Sequence, residues 1–352
     1  MKRTLLFSIF FTLGKLITYG QQLQPDYFSY YQDIYKAEER ICKNELDSAL
    51  FFYIKAFQEH ESQFYYDLYN AAICASKTNN YYQLDKILQN LAVYGYEINF
   101  IDSNQIKVID SLNNFNYSKI LEKQKKSFEK NINTKLESEC IKRFEKDQSS
   151  DRQRINDGKV ESLKIFDEIV YENIEWLTQT IKSYGYPNRK LIGYSYEPNH
   201  SVVGIMLIHY FQHKIRKYEP AFRDSLLRNI IFLYKEDSVI NRYDSIPVLK
   251  IISNEVCKGN MNLGEYVSYH NCARTLNEGK SFYHFFYKSD TYPPIFSSER
   301  DSVLIQTSLK LEKLISEYKK TKQSEFRLGK SLFRLSTNED YKDLFESAFE
   351  KN

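Results

Sequence analysis

The sequence predicts an all-α protein: an N-terminal superhelical array of repeat-like helical hairpins, followed by a second all-helical domain. Glycine and proline number only 11 and 7 in 352 residues, too few for the many turns of a β-sandwich or barrel. Apolar residues recur at spacings of three and four along most of the chain, which is typical of amphipathic helices. Tyrosine and phenylalanine number 30 and 24, so aromatic side chains form much of the predicted core.

Changes in pattern divide the chain into four predicted parts. Residues 1–20 are a signal peptide, 21–114 are repeat-like helical hairpins, 115–150 contain a long charged connecting helix, and 151–352 are a C-terminal helical domain of unknown function. About 330 residues after the signal suffice for two ordinary domains. Two domains of this size can also pack into one continuous helical body, and the sequence leaves that alternative open.

The first 20 residues have the three regions of a secretion signal. A basic pair at 2–3 precedes a nine-residue apolar stretch at 5–13, and Thr18 and Gly20 are small residues before a cut at Gln21. The apolar stretch is far shorter than the roughly 20 residues of a membrane span. We therefore expect a cleaved, exported protein, periplasmic or secreted, without a transmembrane segment. An uncleaved anchor is the alternative.

The charge balance gives no support for a nucleic-acid partner. The whole chain has a formal net charge of +3. Lys2, Arg3 and Lys15 lie in the signal, so its removal leaves 46 basic and 46 acidic residues. A neutral chain has no basic surface excess of the kind that binds nucleic acid or an anionic membrane.

Five cysteines follow the signal, and none forms a CxxC pair, so neither a redox motif nor a zinc knuckle is predicted. An odd number in an oxidising compartment leaves at least one free thiol. Cys42 and Cys74 are 32 residues apart, close to one period of a helical repeat. A disulfide between them and two buried free thiols are both compatible with the sequence.

Residues 26–95 predict two helical hairpins. Leu46, Ala49, Tyr53 and Ala56 repeat an apolar, small, aromatic, small order that lets two helices approach closely while the aromatic ring fills the groove between them. This order resembles the second helix of a tetratricopeptide repeat. A second unit follows the first with a repeat of about 34 residues and begins at Leu68–Ala75. Its second helix has leucines at 84, 88 and 91.

The first helix of the first unit departs from the repeat pattern, with Asp33, Lys36 and Ala37 in place of the usual Trp, Leu and Gly. Stacked repeats form a curved surface that binds an extended peptide or a partner helix. The resemblance therefore implies a protein or peptide partner. We assign Tyr35, Tyr66 and Tyr69 as the candidate binding residues on that surface.

Residues 117–147 predict one long charged helix with a narrow apolar stripe. The stripe has one residue at every fourth position, and lysine and glutamate occupy the other faces. Its members are Phe128, Ile132, Leu136, Cys140 and Phe144. This helix is expected to cap the hairpins and to lead into the second domain near Asp147–Arg152.

The second domain is predicted to be helical throughout. Its first helix ends at Gly185, which supplies a left-handed C-terminal conformation, and Pro187 prevents continuation. Pro198 can open the next helix, and Phe282–Tyr287 is either a short strand or a buried connection. Further helices are predicted at 219–235, 244–257, 262–275, 298–321 and 341–351.

Four short motifs of the second half resemble, in order, an uncharacterised bacterial domain family often found behind tetratricopeptide repeats. The motifs are Asp147–Arg152, Tyr184–Pro187, Leu191–Gly193 and the helix end Phe211–His213. The sequence departs from the family at Gly264–His270, where the family carries a Tyr-Gly-Thr-Gln motif. The resemblance implies a domain arrangement and no activity.

Two histidines offer the main opportunity for chemistry. His209 and His213 are four residues apart and project from one face of a helix. With Glu197, His200 or His270 as a third ligand, they could hold Zn²⁺. The HExxH type of metalloprotease needs a glutamate after its first histidine, and Tyr210 stands there. Packed core histidines are the alternative, and we predict no metal and no cofactor.

No catalytic residue is predicted, because the chain has no GxSxG elbow, no phosphate-binding loop and no GxGxxG. The function favoured by the sequence is that of an exported helical-repeat protein in protein–protein interaction or scaffolding. The rival is a hydrolase or metal-dependent enzyme with a site around His209 and His213. The candidate binding residues are Tyr35, Tyr66, Tyr69, Arg152, His209 and His213.

Overall fold

A computed structural model gives the fold, and all regular structure among its described residues is α-helical. The all-α prediction is therefore confirmed. The described residues are 27–95, 107, 111, 117–193, 202–216, 245–267, 269, 295–321 and 325–330. The predicted signal peptide, the candidate strand at 282–287 and the predicted helices at 219–235 and 341–351 lie outside them. Among the described helices, none is both long and apolar enough to cross a membrane.

The helices are numbered here in chain order. They are α1 (Tyr27–Cys42), α2 (Leu46–Glu59), α3 (Tyr65–Lys77), α4 (Tyr81–Val93), α5 (Tyr117–Asn131), α6 (Thr134–Asp157), α7 (Val160–Tyr184), α8 (Arg189–Ile192), α9 (Val202–Arg216), α10 (Ser245–Cys257) and α11 (Ser298–Thr321).

The first four helices form two hairpins, α1–α2 and α3–α4, and α2 packs against α3. Asn44 and Asn79 adopt positive φ in the connections, a conformation that asparagine tolerates better than most residues. Ala49, Tyr53 and Ala56 are buried on α2, in agreement with the predicted close helix contact. The hairpins are therefore present, and their membership of a superhelical repeat stays a prediction.

The prediction of one continuous helix over 117–147 is wrong at Ile132–Asn133. The side chain of Asn133 accepts a hydrogen bond from the backbone N–H of Leu136 and so caps a new helix, α6. The backbone N–H of Asn133 donates to the carbonyl of Leu191 at 2.8 Å. α6 then runs past residue 150 to Asp157, so the predicted boundary between connecting helix and second domain falls inside a helix.

The hairpins and the later helices share one hydrophobic core. α1 packs against both α10 and α11. The hydroxyl of Tyr31 accepts the backbone N–H of Leu263 at 2.9 Å, and Arg189 donates to the carbonyl groups of Tyr94 and Gly95 at the end of α4. The described helices thus share one core, and the division of the chain into two domains stays a prediction.

A close contact between Gly259 and Tyr27 also joins the hairpins to the later helices. A Cβ atom at that position would lie 2.0 Å from Cζ of Tyr27, and the residue has a φ of +73°. Only glycine combines a missing Cβ with easy access to that backbone conformation. The first turn of α1 therefore packs directly on the loop that follows α10.

Candidate functional site

Two buried polar side chains on the hairpins define the first candidate site. Glu38 on α1 is 1% exposed and Asn70 on α3 is fully buried, although both side chains need hydrogen-bond partners once they leave water. They lie on the side of α1 and α3 that contacts the C-terminal part of the chain. Together with Tyr66 they form what we call the acceptor face (Glu38, Tyr66 and Asn70).

The partners of the acceptor face are backbone N–H groups of a short non-helical segment, residues 325–330. Asn70 Oδ1 accepts the N–H of Arg327 at 2.8 Å. Glu38 accepts the N–H of Gly329 through Oε2 at 2.9 Å and Oε1 at 3.1 Å. The two acceptors therefore hold alternate backbone N–H groups of one peptide segment.

The side chains of the segment alternate in the same way. Phe326 and Leu328 are buried at 6% and 1% exposure, whereas Arg327, between them, is exposed. In peptide recognition, backbone hydrogen bonds supply affinity and pockets for alternate side chains supply specificity. The contact between the acceptor face and residues 325–330 has both features.

The ends of the segment are attached by weaker contacts. Lys77 on α3 pairs with Glu325 at 2.8 Å, with both side chains largely in solvent, and exposed pairs of this kind contribute little to stability. At the other end, the Lys330 ammonium lies 5.2 Å from the centre of the Tyr66 ring. The backbone carbonyl of Lys330 also approaches Gly264 so closely that a Cβ there would lie 2.3 Å from it.

The three predicted tyrosines have different positions. Tyr35 is buried where α1 packs against α11, and burial raises the pKa of its hydroxyl. Tyr69 is half-buried, with its ring 6.0 Å from that of Tyr65. Tyr66 contacts residues 325–330 through the ammonium of Lys330. Tyr35 is therefore a core residue of this structure and is not available to a partner.

Sequence reasoning did not single out Glu38 and Asn70, although a signal for both was present. On α1, Glu38 occupies a position of the apolar stripe that also carries Ile34 and Ile41. On α3, Asn70 stands among the buried residues Leu68 and Ala71. A polar residue in an apolar stripe requires a buried partner, and here the partner comes from the far end of the chain.

The second candidate site lies between α6, α7 and α9. Asp147 on α6 is fully buried, and its Oδ2 lies 2.6 Å from Nδ1 of His209 on α9. The Phe166 ring and the imidazole meet edge to face, with the ring centres 5.5 Å apart. The guanidinium of Arg154 lies 4.7 Å from the centre of the same ring and pairs with Asp151.

The residues predicted for this site differ in their exposure and in their contacts. His209 joins the cluster with a side chain 11% exposed. Arg152 is exposed, and Arg154 supplies the buried guanidinium because residues 147, 151 and 154 share one face of α6. The backbone of His213 belongs to α9, but its side chain lies outside the described part, as do Glu197, His200 and His270.

The described part of the chain therefore brings together one aspartate–histidine pair. A carboxylate bonded to Nδ1 orients an imidazole and leaves Nε2 as the nitrogen for proton transfer. No group of three potential metal ligands occurs among the described residues. The predicted convergence of several histidines stays a prediction.

An open depression of about 710 Å³ lies elsewhere on α7. Arg143 and Trp176 form part of its wall, and the guanidinium of Arg143 lies 4.7 Å from the centre of the indole ring. Glu172 and Glu175 also line it, so its charges are mixed. His209 and Asp147 do not line this depression, and it gives the aspartate–histidine pair no cleft for a substrate.

No family model, curated protein or solved structure matches this chain. The resemblances to tetratricopeptide repeats and to the uncharacterised bacterial domain family therefore stay predictions, and the geometry of the two candidate sites is the basis for a functional assignment.

Proposed function

We propose that this chain is an exported binding protein that acts in protein–protein interaction or scaffolding by holding a short non-helical peptide segment on its acceptor face. The observation that carries the proposal is the pair of contacts from Glu38 and Asn70 to alternate backbone N–H groups of residues 325–330. The segment now seated there supports the proposal as an example of the kind of peptide we expect to bind.

Acceptors for backbone N–H groups suit a binding role because every non-proline residue supplies one such donor. Glu38 and Asn70 therefore contribute affinity for a peptide whatever its side chains. A buried carboxylate is costly unless it is hydrogen-bonded. The state of the protein in which no segment occupies the acceptor face is therefore disfavoured, and the state with a bound segment is favoured.

Selectivity for a peptide comes from the two buried side chains of the segment. Burial of a Phe and a Leu side chain contributes about 1.5–3 kcal/mol each. Phe326 and Leu328 are both buried against the core, so a partner segment needs apolar residues at the same two positions. The exposed Arg327 sets no requirement at the position between them.

Export is the part of the proposal that depends on residues 1–20. A basic pair followed by a nine-residue, largely apolar stretch and two small residues is typical of a cleaved signal. Expression of the full chain in a bacterium, followed by mass measurement of the exported material, tests this part. We expect a protein that begins at Gln21.

The experiment for the binding role is a selection of displayed peptides on the full chain, followed by anisotropy titration of the selected sequences. We expect peptides with two apolar residues in alternate positions. In a chain that carries Phe326→Ala and Leu328→Ala, so that residues 325–330 no longer occupy the face, Asn70→Leu removes one acceptor at nearly constant volume and should weaken peptide binding about tenfold, the effect of one hydrogen bond left unmade. Asn90→Leu makes the same chemical change on α4 and should leave the affinity unchanged. Equal losses in both variants would contradict the proposal.

A second candidate function is an enzyme that uses His209, favoured by its 2.6 Å contact with the buried Asp147. An imidazole oriented in this way can act as a general acid or base in a hydrolase. The test is hydrolysis of a panel of esters, phosphate esters and peptides, together with the zinc content of the purified protein. Activity that disappears in His209→Gln and persists in Arg152→Ala would favour this candidate.

A further inference from the structure

We propose that residues 325–330 are an internal ligand that closes the acceptor face, and that the partner carries an aromatic–x–aliphatic–glycine motif that displaces them. This inference rests on the proposed binding function. It adds the sequence class of the partner and the way in which access to the face is controlled.

The contacts of the segment are those of a ligand. Residues 325–330 are non-helical and follow the last described turn of α11, which ends at Thr321. They join α1 and α3 through the N–H groups of Arg327 and Gly329, both of which any peptide would present in the same positions. A second peptide can therefore replace the segment without loss of these bonds.

The motif follows from three positions of the segment. Phe326 and Leu328 are the buried side chains, and their alternation requires an aromatic and an aliphatic residue two positions apart. Gly329 has a φ of +76°, a conformation that other residues adopt only with strain. Because its N–H faces both oxygens of Glu38, a partner needs glycine directly after the aliphatic residue.

The two ends of the segment are the places where displacement can begin. The Lys77–Glu325 pair is largely exposed, and an exposed ion pair exchanges readily with water. The Lys330 end depends on the approach of its carbonyl to Gly264. Opening at either end uncovers the acceptor face step by step and withdraws Phe326 and Leu328 from the core.

An internal ligand lowers the apparent affinity of an external one by the fraction of molecules that are open. A segment of the same chain also competes at a high effective concentration, which is on the order of millimolar for short linkers. A substitution outside the acceptor face that loosens residues 325–330 should therefore raise the open fraction of molecules. The affinity for an external peptide should rise by the same factor.

Gly264→Ala is such a change. Its Cβ would meet the backbone carbonyl of Lys330 at 2.3 Å, while Glu38 and Asn70 stay as they are. The probe is a fluorescein-labelled peptide of residues 323–332, titrated into the full chain and followed by anisotropy. We expect Gly264→Ala to bind it about tenfold more tightly than the unaltered chain, whereas Asn70→Leu alone removes the same bond from the segment and from the probe and should change the affinity little. A scrambled peptide should not bind.

Phe326→Ala with Leu328→Ala is the second opened variant, used in case Gly264→Ala perturbs the fold, which circular dichroism will show. The inference is supported if an opened, folded variant binds the probe more tightly than the unaltered chain. The inference is overturned if the opened, folded variant and the unaltered chain bind the probe with equal affinity. If selected peptides bind the unaltered chain with an affinity that neither opened variant changes, the binding function holds and the internal ligand is refuted. If no peptide binds any of these chains, both proposals fail.

Discussion

The carboxylate of Glu38 accepts the backbone N–H of Gly329 through both oxygens, at 2.9 and 3.1 Å, although 291 residues separate the two. This contact connects the first helix of the hairpins to the last described segment of the chain. It satisfies a carboxylate that the packing of α1 has removed from water. The same contact therefore serves the fold and closes the acceptor face.

Loss of the Glu38 carboxylate should free the segment. In Glu38→Ala the N–H of Gly329 loses a charge-assisted acceptor, a bond of about 1.5–3 kcal/mol. We expect trypsin to cleave after the exposed Arg327 about tenfold faster, because cleavage follows the population of the opened segment. Glu39→Ala is the control, since Glu39 forms an exposed pair with Lys43. Equal cleavage rates in the two variants would refute the anchoring role of Glu38.

Removal of the imidazole at 209 should destabilise the second half of the protein. His209→Ala removes the contact at 2.6 Å from the buried Asp147 and leaves its Oδ2 with the longer bond from Gln148 Nε2 at 3.2 Å, and a buried polar group short of partners costs about 1–3 kcal/mol. Urea unfolding should show a loss in this range. Arg152→Ala, an exposed change on the same helix, should stay within about 0.5 kcal/mol of the unaltered chain. A neutral His209→Ala would mean that the Asp147 contact contributes nothing to folding.

Asp301 should make stability depend on pH between 4 and 6. Burial raises the pKa of its carboxyl from 3.8 to about 6, against the opposing effect of hydrogen bonds from the N–H groups of Phe296 and Ile295. Because the folded pKa lies above the unfolded one, the folded state binds the proton more tightly. The contribution of Asp301 to stability is therefore present below the unfolded pKa of its carboxyl and is lost as pH rises through about 6.

The size of this loss is about 3 kcal/mol. Asp301→Asn cannot ionise, so the free energy of unfolding of the unaltered chain minus that of the variant should fall by about this amount from pH 4 to pH 7. Urea titrations at four pH values measure it. Glu299→Gln, an exposed change in the same turn of α11, should show no such trend. A difference that rises with pH would contradict the raised pKa.

Three thiols should react slowly in the folded protein. None of Cys42, Cys74, Cys140 and Cys257 forms a disulfide in the structure, so the disulfide between Cys42 and Cys74 that the sequence allowed is not formed. Burial raises the pKa of Cys42 and of Cys140 to about 12 and that of Cys74 further. Since the thiolate is the reactive form, iodoacetamide should label these residues slowly.

Mass spectrometry of tryptic peptides measures the labelling in native buffer and in denaturant. We expect the labelling of Cys74 and Cys140 to be at least about a hundredfold slower in native buffer, because both are buried and mostly protonated. Cys272 lies outside the described residues, and a Cys272→Ser variant removes its contribution. Rapid native labelling of Cys74 would contradict the packing of α3.

The sequence predicted helix positions well where the signals were local. The helix predicted at 298–321 matches α11, and the helix before Gly185 ends at Tyr184 with that glycine at a φ of +82°. The close contact at Ala49, Tyr53 and Ala56 is also present. Each of these depends on residues within a few turns of one another, and a single sequence shows such patterns directly.

The features that sequence reasoning missed depend on distant partners. The break after Ile132 needs the capping side chain of Asn133 and a backbone bond to Leu191. The choice of Arg154 over Arg152 depends on which face of α6 meets Phe166. Glu38 belongs to the acceptor face only because residues 325–330 return to α1 and α3. A sequence pattern gives the direction of a side chain on its helix, and tertiary packing decides what it meets.

The most direct test of the account is hydrogen–deuterium exchange of the full chain with and without a saturating selected peptide. If the acceptor face binds the peptide in place of the internal ligand, the amides of residues 325–330 should exchange faster in the complex, while those of α3 stay protected. If the peptide binds while residues 325–330 keep their protection, it binds elsewhere. That result would contradict the central claim that the acceptor face is the binding site and the segment its occupant.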